Sequence, residues 1–222
     1  MPRPAKPEVE EWRPDLFPDG PATIIGAGLA GLACAIVLAQ AGRPVIVREW
    51  HKTVGSRFHG DFQGLENWSD REDVLDELRA AGIEPNFDAH PVREGTAFDA
   101  WGKVYPIRSE RPLYYLVQRG RQNGSLDFGL LKQAIAAGAE VRFGDRVAHP
   151  EDSAILAIGP RTADAIAAGY VFKTNQPNSN WIAFDDRLAP LGYAYLLIHG
   201  GRGTMASCMF TGFKRQAEHV ER

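Results

Sequence analysis

Residues Ala22 to Arg57 read ATIIGAGLAGLACAIVLAQAGRPVIVREWHKTVGSR, and this stretch decides the fold. Ala22 to Ile25 is a short apolar run, as expected of a buried strand. Leu29 to Ala41 has apolar residues at 29, 32, 33, 36 and 37 with alanines between, a helical pattern that Gly42 ends. Pro44 to Glu49 is a second strand. Strand, glycine turn, helix and strand in so short a span predict a βαβ half-unit with a parallel sheet.

The turn between the first strand and the helix is Gly26-Ala27-Gly28-Leu29-Ala30-Gly31, a GxGxxG in the strand–helix context that the motif requires. Each glycine has a task. Gly26 permits the tight turn, Gly28 lets a pyrophosphate approach the backbone, and Gly31 lets the helix pack close on the strand. The helix N-terminus, with Ala30 in its first turn, offers free N–H groups and a partial positive charge to phosphate. Glu49 ends the second strand 18 residues after Gly31, where a carboxylate can accept hydrogen bonds from both ribose hydroxyls and would repel a 2′-phosphate. Val54-Gly55-Ser56-Arg57 places an arginine eight positions past Glu49 and resembles the E-x5-GGR extension of flavoprotein oxidoreductases, which implies Arg57 as a charge-assisted donor to the pyrophosphate.

Around this stretch the chain is ordinary in bulk. It has 222 residues, is 44% hydrophobic and 24% charged, and carries a net charge of -3. That charge leaves no basic footprint, so no nucleic-acid partner is expected. The two cysteines, Cys34 and Cys208, lie far apart, the histidines are scattered, and no metal site is expected. Sparse cysteine fits a reducing compartment, and the expected location is the cytoplasm. No apolar run approaches the ~18 residues of a membrane span, so no transmembrane segment is expected, and peripheral membrane contact stays open.

Residues 1–20 are rich in proline and charge and are expected to form an extended arm. Residues 21–168 are read as the dinucleotide-binding domain, with an inserted segment at about 85–118. Within it a helix is expected over 70–81, opened by Asp70, and a hairpin around Trp101-Gly102-Lys103. A helix over 126–137 and strands at 140–143 and 154–158 follow. Residues 169–222 contain YVFKT, NWIAFD, YAYLLIH and TMASCMF, split by turns, which predicts an antiparallel β-rich layer. The fold class is therefore α/β, a Rossmann-like parallel sheet with an added antiparallel, β-rich layer; the resemblance given next implies that the parallel sheet is FAD-binding and that the added layer serves the substrate.

The glycine turn with Glu49 and Arg57, and the segment Tyr115-Leu116-Val117-Gln118-Arg119 followed by Leu126-Asp127 and a helix, resemble the FAD-dependent geranylgeranyl reductase family within the p-hydroxybenzoate hydroxylase-like flavoproteins. So does Pro190-Leu191-Gly192-Tyr193-Ala194-Tyr195-Leu196-Leu197-Ile198, which is similar to the family's P-x-x-Y-x-W-x-F-P segment with Tyr195 in place of Trp, Leu197 in place of Phe and Ile198 in place of the last Pro. The resemblance implies FAD as cofactor and FAD contacts at Arg119 and, through a backbone group near adenine, at Val147. It implies that Tyr193 and Tyr195 face an apolar substrate. It also implies an external electron donor and reduction of C=C bonds in an isoprenoid or lipid-like molecule. Two further departures are visible: Ser56 replaces the family's second glycine, and the loop at 58–64 has no cysteine. The family's later Gly-Asp or Gly-Glu segment is not found, so the chain is expected to be an FAD-dependent oxidoreductase or its FAD-binding portion, with the substrate domain truncated: a fragment, a chain that a partner completes, or a protein that has lost redox function. No catalytic acid is assigned. Two alternatives stay open, a non-catalytic dinucleotide-binding module that works with a partner chain and an NAD-linked enzyme of another family.

Overall fold

In a computed structural model of the chain, residues 20–150, 153–159 and 162–221 are described. Apart from Gly20, the proline-rich arm expected at 1–20 lies outside them. The first half of the chain runs β1 (Ala22–Ile25), α1 (Leu29–Gln40), β2 (Val45–Glu49), β3 (Phe62–Glu66), α2 (Val74–Ala80), β4 (Ala89–Val92), β5 (Glu94–Asp99), β6 (Val104–Arg108) and β7 (Tyr114–Gln118). It continues through α3 (Leu126–Ala136), β8 (Glu140–Phe143), β9 (Ile155–Leu156), β10 (Ile166–Lys173), β11 (Ser179–Phe184), β12 (Tyr193–His199), β13 (Arg202–Met209) and α4 (Gln216–Val220).

The parallel sheet expected from the opening stretch is present, in the order β8-β2-β1-β9. Ile24 sits opposite Val47 on one side and Ile155 on the other. Strands of this kind are covered on both faces and read as continuous apolar runs. Ile24, Val47, Leu32 and Ile36 are accordingly 0% exposed. The core they form takes in Leu130, Leu131 and Ala134 of α3, so the two longer helices share it.

The β-rich layer differs from expectation in three ways. It is a six-stranded sheet of order β10-β13-β12-β11-β5-β6, so the β5–β6 hairpin belongs to it although residues 85–118 read as an insert in the other domain. β11 pairs with β5 in parallel, so the sheet is mixed. Third, β3, β7 and β4 form a small antiparallel sheet of their own. Phe62, Val92, Leu116 and Leu197 make a second buried cluster that joins the small sheet to β12, with Tyr114 and Tyr195 packed against it. The Phe62 N–H donates to Thr204 Oγ1 at 2.8 Å across the same seam.

Two local expectations are corrected. The helix expected over 70–81 starts at Val74, because the carboxylate that accepts from a first-turn amide (Leu75) belongs to Asp73 and not to Asp70. The strand expected at 154–158 pairs only at Ile155 and Leu156 before the chain turns at Gly159, whose φ is +77°.

Candidate functional site

β1, β2 and β9 all end at one edge of the parallel sheet. The chain leaves β1 for β2 on one side, and β9 returns on the other. That is the switch point at which open α/β sheets leave a crevice. A cleft of about 1030 Å³ lies there. Its volume is at the top of the ~300–1,000 Å³ typical of small-molecule sites.

The glycine turn forms one wall. Gly26 has φ +106°, and a Cβ on it would lie 2.5 Å from the Ala157 carbonyl oxygen, so the bend admits no side chain. Gly28 caps α1 with φ −74°, and a Cβ there would meet no protein atom within 4 Å. The space in front of Gly28 is open cleft. No side chain among the described residues caps α1, and its first turn holds no acid. Its first-turn amides therefore face the cleft without a capping side chain. These features fit a diphosphate. Gly31, expected among the cofactor-binding residues, does not line the cleft. A Cβ on it would fall 2.0 Å from the Gly26 carbonyl oxygen, so its part is the close packing of helix on turn.

Glu49 lies at the end of β2 with both oxygens engaged. Oε2 accepts from the Ala27 N–H at 2.7 Å, and Oε1 from the His51 N–H at 2.8 Å. Each carboxylate oxygen has two acceptor sites, so the group is oriented and can still accept from a sugar. The carboxylate thereby also ties the glycine turn to β2.

Arg57 lines the cleft and lies over Gly159, with Nη2 3.6 Å from where a Cβ would stand. Arg119 lines the cleft too, but most of its donors are used within the protein. Nε and Nη2 grip the Asp127 carboxylate at 2.8 and 2.9 Å, and Nη1 donates to Gln63 Oε1 at 2.9 Å. Its guanidinium lies 4.0 Å from the centroid of the Phe58 ring. Asp127 is 2% exposed and also accepts from the Gly120 N–H at 2.9 Å. Arg119 is thus held rigidly at the cleft wall, with two N–H bonds left over.

Val147 borders the far end of the cleft, on the loop after β8. That loop is fastened to β2 by a bidentate pair between Arg48 and Asp145, both contacts at 2.7 Å. The pair holds the Asp145 carboxyl below its ordinary pKa. The Arg146 guanidinium sits 4.6 Å from the centroid of the Trp50 ring, beside the loop.

Tyr193 and Tyr195 are not in the cleft. They share the face of β12 turned to the small sheet, their ring centroids 6.2 Å apart. Burial raises the Tyr195 phenol to about 12, with a smaller push from Tyr193. The Tyr193 phenol is raised by burial first and then by the neighbouring Cys208 thiol.

Gln63, Phe58, Asp127 and Trp50 were not among the expected site residues. Only Asp127 had a local signal, an acid two residues after a serine at a helix start.

Residues 22–65 match the family model described as FAD binding domain, and this match carries FAD as the cofactor. A methylenetetrahydrofolate–tRNA-(uracil-5-)-methyltransferase TrmFO from Rhodobacter capsulatus is 30% identical over 185 residues. That alignment covers 77% of this chain and 37% of the relative, so the chain spans little more than a third of that protein's length. Among solved structures, a geranylgeranyl bacteriochlorophyll reductase-like protein from Thermoplasma acidophilum superposes with a TM-score of 0.63 at 16% identity, over 91% of this chain and 60% of that one. A probable FAD-dependent monooxygenase from Pseudomonas aeruginosa superposes with a TM-score of 0.55 at 15% identity, over 88% of this chain and 62% of that one. At these identities the likeness speaks to the fold, a Rossmann-like parallel sheet with a β-rich layer beside it.

Proposed function

We propose that the chain is the FAD-binding portion of an oxidoreductase that reduces C=C bonds of an isoprenoid or similar lipid-like substrate, with electrons from an external donor. The observation that carries the flavin half is the uncapped, side-chain-free N-terminus of α1, which opens onto a cleft with an oriented carboxylate beside it. Gly28 and Ala30 would present backbone N–H groups to the pyrophosphate, Gly26, whose own N–H donates to the Arg48 carbonyl at 2.8 Å, would make the bend that admits it, and Glu49 would accept from the ribose. Arg57 would meet a phosphate. Arg119, held by Asp127, would offer its remaining N–H bonds, and a backbone group at Val147 would border adenine. FAD, when bound, supplies two-electron redox chemistry, while the protein supplies position and electrostatics.

The apolar-substrate half rests on the inner face of the six-stranded sheet. Tyr193 and Tyr195 lie there with Phe184, whose ring is 6.5 Å from that of Tyr193. Ala167 stands opposite Cys208 on the same face, a small residue that leaves room. Both phenols stay protonated at neutral pH, so each can donate a hydrogen bond or hold a proton, and neither adds charge to an apolar pocket.

The test is to reconstitute the purified chain with FAD, reduce it chemically, add a geranylgeranyl substrate and weigh the product by mass spectrometry. A mass gain of one hydrogen pair per double bond supports the reading. Tight flavin binding with no change in the substrate would confine the function to cofactor binding. The identity to TrmFO favours a second reading, methyl transfer to a tRNA uracil. Incubation with methylenetetrahydrofolate and tRNA, read by nucleoside mass spectrometry, separates the two.

A further inference from the structure

Loops meet at the end of the six-stranded sheet where β5, β11 and β13 finish and β12 begins. Each presents an apolar side chain to solvent. Trp101, at the β5–β6 tip, is 90% exposed, and Leu191, before β12, is 72% exposed. Phe184 and Phe210, at the ends of β11 and β13, are about half exposed. Single exposed apolar residues are commonplace, but four on adjoining loop tips are not.

These tips are braced. The Asp99 carboxylate accepts from the Trp101 and Lys103 N–H groups at 3.0 and 2.9 Å and from the Tyr105 hydroxyl at 3.0 Å, which fixes the turn. Arg187 Nη2 donates to the Ala100 carbonyl at 2.9 Å, tying the hairpin to the next loop. The Leu191 N–H donates to Asp186 Oδ1 at 2.8 Å, and the Phe210 N–H to the Pro190 carbonyl at 3.1 Å. Among the described residues Leu191 is the one non-glycine with positive φ, at 54°. Such a backbone costs ~1–3 kcal/mol and persists where the surroundings enforce it, often at functional sites. Here the strain serves to hold a leucine out in water.

We propose that this end of the sheet is a membrane-binding surface, with Trp101 and Leu191 inserted at the headgroup boundary of a lipid bilayer. The tips stand singly on separate loops, which suits insertion between lipids better than the continuous complementary patch of a protein interface. Tryptophan favours this boundary because its ring is apolar and its N–H can stay wet. Lys103, Lys214 and Arg215 lie at the same end, placed to meet lipid phosphates. Of the nearby carboxylates, Asp99 and Asp186 are engaged by backbone N–H groups and Asp185 by Arg187, while Asp164 before β10 and Glu218 and Glu221 at α4 are exposed. Among the described residues no helix is long and apolar enough to cross a membrane, so attachment would be interfacial. The aromatic face of Tyr193 and Phe184 opens at this end. The gain in passing an apolar substrate from bilayer to sheet rests on the function proposed above, whereas the insertion itself does not.

Flotation of the FAD-loaded chain with phosphatidylcholine vesicles, with and without phosphatidylglycerol, tests this. The wild type is expected to float. Trp101→Ser and Leu191→Ser should each lower the partition coefficient by about tenfold, and the double variant should stay at the bottom of the gradient. Both side chains are exposed and away from the cleft, so unchanged circular dichroism and flavin affinity will show that the fold is intact. A wild type that does not float overturns the proposal, as does a double variant that floats equally well. A concentration-dependent dimer lost in the double variant, without vesicle binding, would assign the surface to a second copy and also overturn it. A chain that floats but reduces no isoprenoid keeps this inference and sinks the other.

Discussion

α1 and α3 begin with the same problem and solve it differently. Each leaves backbone N–H groups without helical partners at its N-terminus. In α3 the Ser125 hydroxyl accepts from the Phe128 N–H, and Asp127 stands in the first turn with its carboxylate locked onto Arg119. In α1 the cap is Gly28, the first turn is Leu-Ala-Gly, and no described side chain reaches back. The contrast shows which helix is finished by its own sequence and which is left open toward the cleft. A bare helix end that faces a cleft is a binding feature; a capped one facing its own salt bridge is structural.

The comparison can be broken from either side. The largest effect is expected at the capped helix. Asp127→Ala leaves the largely buried Arg119 guanidinium without its partner and should destabilise the fold by about 3 kcal/mol, read as a lower urea midpoint. An unchanged midpoint would mean that the pair does not hold this corner. At the bare helix the expected loss is in binding and not in stability. Gly28→Val puts its side chain into open cleft at a φ of −74° that valine tolerates, so the melting temperature should hold while FAD affinity drops by about 100-fold in a fluorescence titration. Retained flavin would move the site elsewhere. Glu49→Arg replaces an acceptor with a cation beside the ribose position and should weaken FAD by about tenfold. Equal affinity in calorimetry would remove Glu49 from the site. Smallest is Ser125→Ala, which removes the α3 cap and should cost about 1 kcal/mol of stability with flavin binding unaltered.

Local patterns made the parallel sheet legible. The β1–α1–β2 stretch announced itself because both strands are continuous apolar runs and the helix has its own period, with glycine at the bends. The hairpin at 94–108 was equally plain from its turn. Its partner was not, since the pairing of β5 with β11 joins residues such as Ile182 and Ala97, far apart in sequence. For the same reason the middle of the segment read as an insert, β5 and β6, lies in the six-stranded sheet, while its ends, β4 and β7, lie in the small one. β3 escaped notice because Phe62-Gln63-Gly64-Leu65-Glu66 has too little apolar character to read as a strand, yet it buries Phe62 against β12. The scattered histidines held a similar surprise. His90 and His199 stack with centroids 3.9 Å apart, and burial, then the charge of His90, lowers the pKa of His199.

At the site, the sequence alone determined the chemistry that the proposed pyrophosphate corner offers. A side-chain-free turn, a helix start without a cap and an acid at the end of the next strand are all local in the chain, and each acts through backbone geometry. Only the tertiary structure decided how that corner is walled. Asp127 and Gln63 take up the guanidinium of Arg119, the Arg48–Asp145 pair fixes the loop of Val147, and Tyr193 and Tyr195 are set on a separate sheet face. Those arrangements depend on which distant side chains meet once the two sheets and their shared cores close, and no spacing along the chain encodes that.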